Sequence, residues 1–347
     1  MKIALQLVMG LFFIPLLAQE TETSNTTEDS KKLTISGSAD IYFRENISGP
    51  NEAFEIDGED YFLNPGTSFV NRSGFSFGMA NIILDYNGDK VGFVADLVFG
   101  PRGEDAVFLS IGSSNFINQL YAYWKINPKV KLTFGNFNTF LGYEVISPSG
   151  NFNYSTSYMF SNGPFSHTGL KADFTLSDDF TLMLAIMNST DFTEINLDGS
   201  YTLGTQLGYK NQFINVVYGE QTGSSGATFQ IDYTGGFDLN DQFYLGLNST
   251  FNDTDGSGFY GFALYPQLST SENFTIGLRG EYFGVHSDGV DDETVLAATI
   301  SANFKIDDLT LIPEFRLDNW SDEVYFDNDM EPSKQLSSFL IAAVYNF

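Results

Sequence analysis

From Leu33 to its last residue the chain alternates apolar and polar side chains with a period of two. In Leu33-Thr34-Ile35-Ser36-Gly37-Ser38-Ala39-Asp40-Ile41-Tyr42-Phe43-Arg44 every odd position is apolar or small and every even one polar or amphipathic. Successive side chains of a strand point to opposite faces, so each such segment has one apolar and one wet face. The pattern returns as Val91/Phe93/Ala95/Leu97/Phe99, as Leu120/Ala122/Trp124/Ile126 against Gln119, Tyr121 and Tyr123, and as Leu170/Ala172/Phe174/Leu176. Later copies are Phe180/Leu182/Leu184/Ile186, Phe229/Ile231/Tyr233, Phe243/Leu245/Leu247, Phe274/Ile276/Leu278, Leu296/Ala298/Ile300/Ala302 and Leu309/Leu311/Pro313/Phe315. No competing helical period is long enough to specify a helix. A wall between lipid and a wet interior must read this way. A two-sheet sandwich alternates too, so alternation alone does not decide.

The connections do. Tight turns are expected at Asn87-Gly88-Asp89, Asn127-Pro128-Lys129, Ser177-Asp178-Asp179, Asn211-Gln212, Asn240-Asp241, Ser271-Glu272 and Asp307-Asp308. Between them lie longer connections near 45–73, 100–116, 139–165, 188–200, 221–226, 252–257, 284–293 and 318–335, so short and long alternate without exception. Seven turns and eight loops join sixteen strands. The expected fold is all-β, a transmembrane antiparallel up-and-down β-barrel of about 16 strands (14–18), both termini on the turn side, in the periplasm. Two segments leave the count open: Ala106 to Gly112 could extend a wall strand, and the register of 75–86 is ambiguous.

Ahead of the barrel, Lys2 precedes an apolar run from Ile3 to Leu17 that closes at Ala18. About 15 apolar residues fall short of the ~20 that a spanning helix needs. Residues 1–18 therefore read as a removable signal peptide, 19–31 as a flexible periplasmic tail too polar to bury anything, and 32–347 as the barrel.

Removing residues 1–18 takes only Lys2 among the charged residues, and the net charge goes from −28 to −29. Nucleic acid is excluded as a partner, because phosphate binding needs clustered Lys and Arg. With no Cys there is no disulfide or zinc-thiolate chemistry, and with two histidines, His167 and His286, no His-rich metal site. No metal or cofactor is expected.

The last strand places Phe339, Ile341, Ala343, Tyr345 and Phe347 on one face and stops at an aromatic residue. Phe347 is thus the expected terminal signal for the outer-membrane insertion machinery.

From Gly92 to Asp173 the chain carries Gln119-Leu120-Tyr121-Ala122-Tyr123, Gly135-Asn136-Phe137-Asn138-Thr139, Gly142-Tyr143-Glu144, Asn151-Phe152-Asn153-Tyr154-Ser155 and Gly163-Pro164-Phe165-Ser166-His167-Thr168-Gly169. This stretch resembles the OmpL-like, porin-2 type family of β-barrel porins common among Bacteroidetes-like bacteria. The resemblance covers about a quarter of the chain, and the rest agrees in architecture. It implies diffusion of small hydrophilic solutes or ions across the outer membrane of a Gram-negative bacterium, with no catalytic residues. Lipid, the insertion machinery and a homo-oligomeric copy are the expected partners.

Strand parity points Arg44, Lys125, Lys131, Lys171, Lys210, Arg279, Lys305 and Arg316 inward, with the acids Asp40, Asp96, Asp173, Asp232, Glu281 and Glu314. Eight bases against six acids leave the wall near neutral. Pairs two apart on one face, such as Lys171/Asp173, Arg279/Glu281 and Glu314/Arg316, either neutralise one another or set a transverse field in the pore. Sixteen strands leave a water-filled channel unless a loop closes it.

The third outer loop, Phe140 to Pro164, is the candidate for that closure. It carries one charge, Glu144, and the rings of Phe140, Tyr143, Phe152, Tyr154, Tyr158 and Phe160. The exposed tips elsewhere are acidic, as in Glu52, Glu55, Asp57, Glu59 and Asp60 or Asp288, Asp291, Asp292 and Glu293. A loop without such charge is expected to fold inward. Its rings and the amides Asn151 and Asn153 either pack it on the wall or face solutes such as sugars.

Other motifs carry less. Gly256 to Gly261 fits G-x-G-x-x-G but opens a strand, so no dinucleotide site follows. Asp253-Thr254-Asp255-Gly256 resembles the start of a calcium loop but lacks its closing Glu. Ser166 and His167 are adjacent on a strand and point to opposite faces, which disfavours an outer-membrane hydrolase. A structural or adhesive barrel with acidic loops is the remaining alternative, and conductance separates it from a porin.

Overall fold

The computed structural model describes residues 32–347 apart from 57, 58 and 225. The expected leader (1–18), tail (19–31) and acidic tip residue Asp57 lie outside the described residues. Sixteen antiparallel strands close on themselves. They are β1 (Lys32–Asn46), β2 (Gly74–Asn87), β3 (Val91–Phe99), β4 (Ile117–Asn127), β5 (Val130–Asn138), β6 (Ser166–Thr175), β7 (Phe180–Met187) and β8 (Thr202–Tyr209). The second half comprises β9 (Gln212–Glu220), β10 (Ala227–Asp238), β11 (Phe243–Thr254), β12 (Ser257–Ser271), β13 (Phe274–Ser287), β14 (Glu293–Ile306), β15 (Leu309–Trp320) and β16 (Gln335–Asn346).

Each strand pairs with its chain neighbours, and β1 pairs with β16 from Ser38 opposite Asn346 to Asn46 opposite Ser338. Closure leaves no unpaired edge, which backbone in lipid requires. The seam ends at Phe347, whose N–H donates to Gly37 O and whose carbonyl accepts from Gly37 N, both at 3.0 Å.

Exposure follows the alternation. Leu33, Ile35, Ile41, Phe134, Ile186 and Leu296 stand on the outer face, while Ser38, Asp40, Tyr42 and Arg44 are buried inside. In water this inversion would be a fault; against lipid it is what the wall needs. Among the described residues no helix is long and apolar enough to cross a membrane.

The ambiguity of 75–86 has a physical cause. Between Ala39 and Ile41 the β1–β2 register shifts. Phe75 and Phe77 face outward, Gly78 and Met79 are buried, and Ala80 and Ile82 face outward again. The Met79 N–H donates to Asp40 Oδ1 at 3.0 Å, so the bulge is pinned by an interior carboxylate. No single parity describes this strand.

Three expectations are corrected. Ala106 to Gly112 does not extend a strand: Pro101–Ala106 is a helical turn, α1, and the chain stays irregular to the short 3₁₀ turn Gly112–Ser114. The connection expected near 252–257 is only Asp255-Gly256, because β11 and β12 run to its edges. Both residues have positive φ, 53° and 80°, as a two-residue type I′ hairpin requires. Long and short connections therefore do not alternate at this point. Lys210 is not in the wall; it sits in the β8–β9 turn with φ 56°, where parity ends.

The turn end of the barrel also holds both described chain ends, since Lys32 pairs with Asn87 beside a tight turn and Asn346 N donates to Asp308 O. The opposite end carries loops 1 (47–73), 2 (100–116), 3 (139–165), 4 (188–201), 5 (221–226), 6 (255–256), 7 (288–292) and 8 (321–334).

Candidate functional site: loops packed inside the barrel

Loop 3 lies against inward-facing residues of the wall. Glu144 accepts from Arg279 Nη1 of β13 at 2.6 Å and from Ser157 N at 2.7 Å. Arg279 also donates to Ser155 O at 2.6 Å. Glu314 of β15 accepts from Tyr154 N at 2.9 Å, and Arg316 donates to Thr156 O at 2.8 Å. The Tyr154 hydroxyl donates to Asp40 of β1, and Gly142 N donates to Asp232 of β10 at 3.0 Å. Buried charges need partners, and here the wall's charges find them in the loop's backbone and in its Glu144 and Tyr154 side chains.

A single turn of helix within the loop, α2 (Tyr158–Asn162), is capped twice. Ser157 Oγ accepts from Phe160 N at 3.0 Å. Glu281 of β13 then accepts from Tyr158 N at 3.0 Å and Met159 N at 2.9 Å, placing a carboxylate on the helix N-terminus. The Tyr158 hydroxyl lies 2.8 Å from Pro65 O and 3.0 Å from Asp318 Oδ1. Burial pushes the Tyr154 and Tyr158 hydroxyls well above the usual tyrosine range, so both stay protonated.

The large side chains of loop 3 are seated on wall glycines. A side-chain carbon at Gly204 of β8 would come within 2.7 Å of Phe140, and one at Gly261 of β12 within 2.5 Å of Met159. Gly246 of β11 and Gly277 of β13 face Tyr143 and Phe152 in the same way. Tyr143 also stacks on Tyr265, ring centroids 4.2 Å apart. Missing side chains on one surface thus make room for large ones on the other.

The two amides close internal contacts. Asn151 donates to Val145 O and accepts from Val145 N, at 2.7 and 2.9 Å, and Asn153 donates to Ser301 Oγ at 2.7 Å. Of the two readings of these groups, packing is the one their contacts support.

Loops 1 and 2 join loop 3 inside, which the sequence reading missed. Arg44 donates to Leu63 O at 3.3 Å, Arg316 to Thr67 Oγ1 at 3.2 Å, and Thr156 to Ser68 O at 2.8 Å. Arg102 of α1 donates through Nε to Ile146 O at 2.8 Å, its guanidinium 4.4 Å from the Phe69 ring. Asp318 holds Arg316 at 2.8 Å. A signal was present: Phe62 to Phe69 (FLNPGTSF) has no charge and two rings, the same combination that singled out loop 3.

The remaining inward residues divide by height. Asp96 accepts from Asn81 at 3.1 Å and Asn118 at 2.6 Å, and Asp232 from Asn215 at 2.8 Å and Asn248 at 2.6 Å, so amides rather than bases satisfy both. Lys131 and Asp173 form a half-exposed pair at 3.4 Å near the turn end. Lys171 lies over the Phe137 ring at 4.8 Å. Lys125 donates to Asn87 Oδ1 at 2.7 Å, and Lys305 is exposed at the same end. His167 is fully buried with Nε2 3.0 Å from Thr139 Oγ1.

The fold is shared with solved outer-membrane proteins. The channel DcaP of Acinetobacter baumannii superposes with a TM-score of 0.59 at 13% identity, over 91% of this chain and 97% of that one. An anion-selective porin from Comamonas acidovorans gives a TM-score of 0.59 at 9% identity, over 91% and 99%. OmpT of Vibrio cholerae, in a trimer form, gives 0.55 at 10% identity, over 91% and 99%. No curated protein matches the sequence. Residues 32–347 match one family along their whole length, and this outer-membrane barrel belongs to it: "Putative beta-barrel porin-2, OmpL-like".

Proposed function

We propose that this barrel passes small hydrophilic solutes or ions by passive diffusion through a water-filled lumen that loop 3 narrows. The observation that carries the reading is the docking of loop 3 onto Asp40, Asp232, Arg279, Glu281, Glu314 and Arg316. These charges hold the loop rather than the solute, so the path runs along the β4–β7 side, past Lys131, Asp173 and Lys171. With Lys131 and Asp173 paired, fixed charge along that path is small and selectivity is weak. No catalytic step belongs to this reading. The turn end faces the periplasm, Phe347 is read by the insertion machinery, and the apolar outer face meets lipid or a second copy of the chain.

Liposome swelling with sugars of graded size tests this. Pentoses and hexoses should enter protein-loaded vesicles faster than a trisaccharide. Rates equal to those of protein-free vesicles for every sugar would reject the channel and favour the adhesive barrel.

A further inference from the structure

A cavity of about 200 Å³ lies between loops 1, 2 and 3, beside the β1–β2 bulge and outside the proposed path. Its walls include the rings of Tyr42, Phe69 and Tyr154, all buried. Arg102, 2% exposed, lines it, and its Nη2 is buried without a hydrogen-bond partner. Asn71 lines it as well, and its Oδ1 is a buried acceptor without a donor. One orphan donor and one orphan acceptor in a single cavity are costly unless something supplies both complements.

The backbone beside it is strained. Phe69 and Val70 are consecutive non-glycine residues with positive φ, 69° and 42°, and for a β-branched residue this is a true outlier. Such strain collects at ligand clamps, where the surroundings enforce it. Charge selects the ligand class: Arg72 and Arg102 at this cavity are matched by Glu104 and Asp105. An anion drawn to Arg102 would meet two carboxylates, and a cation the reverse.

We propose that this cavity binds a neutral, compact polyol of monosaccharide size. A hydroxyl would accept from Arg102 Nη2, another would donate to Asn71 Oδ1, and the ring would lie against the aromatic walls. The volume equals about seven waters at ~30 Å³ each, room for one pyranose and not for two. The site stands apart from conduction, because binding is read without a membrane.

Saturation-transfer-difference NMR on the refolded barrel, in a detergent without a sugar headgroup, tests it with glucose, maltose and benzoate. Glucose should give signal with a dissociation constant on the order of 1 mM, and maltose and benzoate should give less. Asn71→Leu leaves the Arg102 contacts to loop 3 in place and should weaken glucose binding at least about fivefold. No glucose signal, a stronger benzoate signal, or an Asn71→Leu barrel that binds like wild type would overturn the assignment.

Discussion

Arg279 on β13 and Glu144 in loop 3 meet at 2.6 Å, with side chains 1% and 3% exposed. A buried pair loses most when one partner goes, because the other charge is left without compensation. Glu144→Ala should therefore cost about 3–5 kcal/mol of barrel stability. It should also release loop 3, read as new proteolytic cleavage between Phe140 and Pro164. The double variant Glu144→Met with Arg279→Met should lose less than the two single changes added together, which urea unfolding of the four proteins will show.

Gly277 faces Phe152, and a β-carbon there would enter the ring. Gly277→Val should displace Phe152 and loosen the loop, costing about 1–3 kcal/mol as overpacked cores do. The same change at Gly280, which lies on the outer face of the same strand with open space around it, should cost much less. Thermal midpoints of the two variants provide the comparison.

The seatings on glycine show where the sequence was legible and where it was not. Alternation identifies a wall whatever its partners, because period two follows from strand geometry alone. It fails where parity breaks: at the Gly78–Met79 bulge, at Lys210 in a turn, and at Asp255-Gly256, where local turn chemistry replaces a loop. The charge-poor, ring-rich composition of loop 3 pointed inward, yet the same composition over Phe62–Phe69 lay hidden inside a loop that also carries the acidic run Glu52 to Asp60. The occupation of Asp232, Glu281 and Glu314 by loop amides was not legible, since a backbone N–H leaves no mark on sequence.

Asp191 in loop 4 accepts from Phe165 N at 2.6 Å and Ser166 N at 2.9 Å, tying loop 4 to the end of loop 3. Burial pushes its carboxyl up to about 6, against the pull of those two donors. A raised folded-state value adds stability below the ordinary value of 3.8, and that contribution is lost as pH rises through about 6. Asp191→Asn keeps the acceptor, suits the positive φ of 66° and cannot titrate. The variant should narrow the difference in thermal midpoint between pH 4 and pH 7.5, by an amount on the order of a few degrees.

Phe347 completes the β1–β16 seam through its two hydrogen bonds with Gly37. Deleting Phe347 should lower the yield of outer-membrane barrel, read as the fast-migrating band before boiling, far more than deleting 19–30. Equal yields from the two deletions would remove Phe347 as an insertion signal.

The central claim, a diffusion channel narrowed by loop 3, is tested most directly by single-channel conductance in a planar bilayer. The wild-type barrel should conduct, and replacing Ser147 to Ser157 with a short Gly-Ser link should raise its conductance severalfold. That span holds no acidic or basic side chain, and the wall groups it uncovers, Asp40 and Glu314 against Arg279 and Arg316, balance, so ion selectivity should move little. Lys171→Glu, by contrast, should shift selectivity toward cations, most of all at low salt where screening is weak. Unchanged conductance in a folded, trimmed barrel would place loop 3 outside the conducting path and contradict the account.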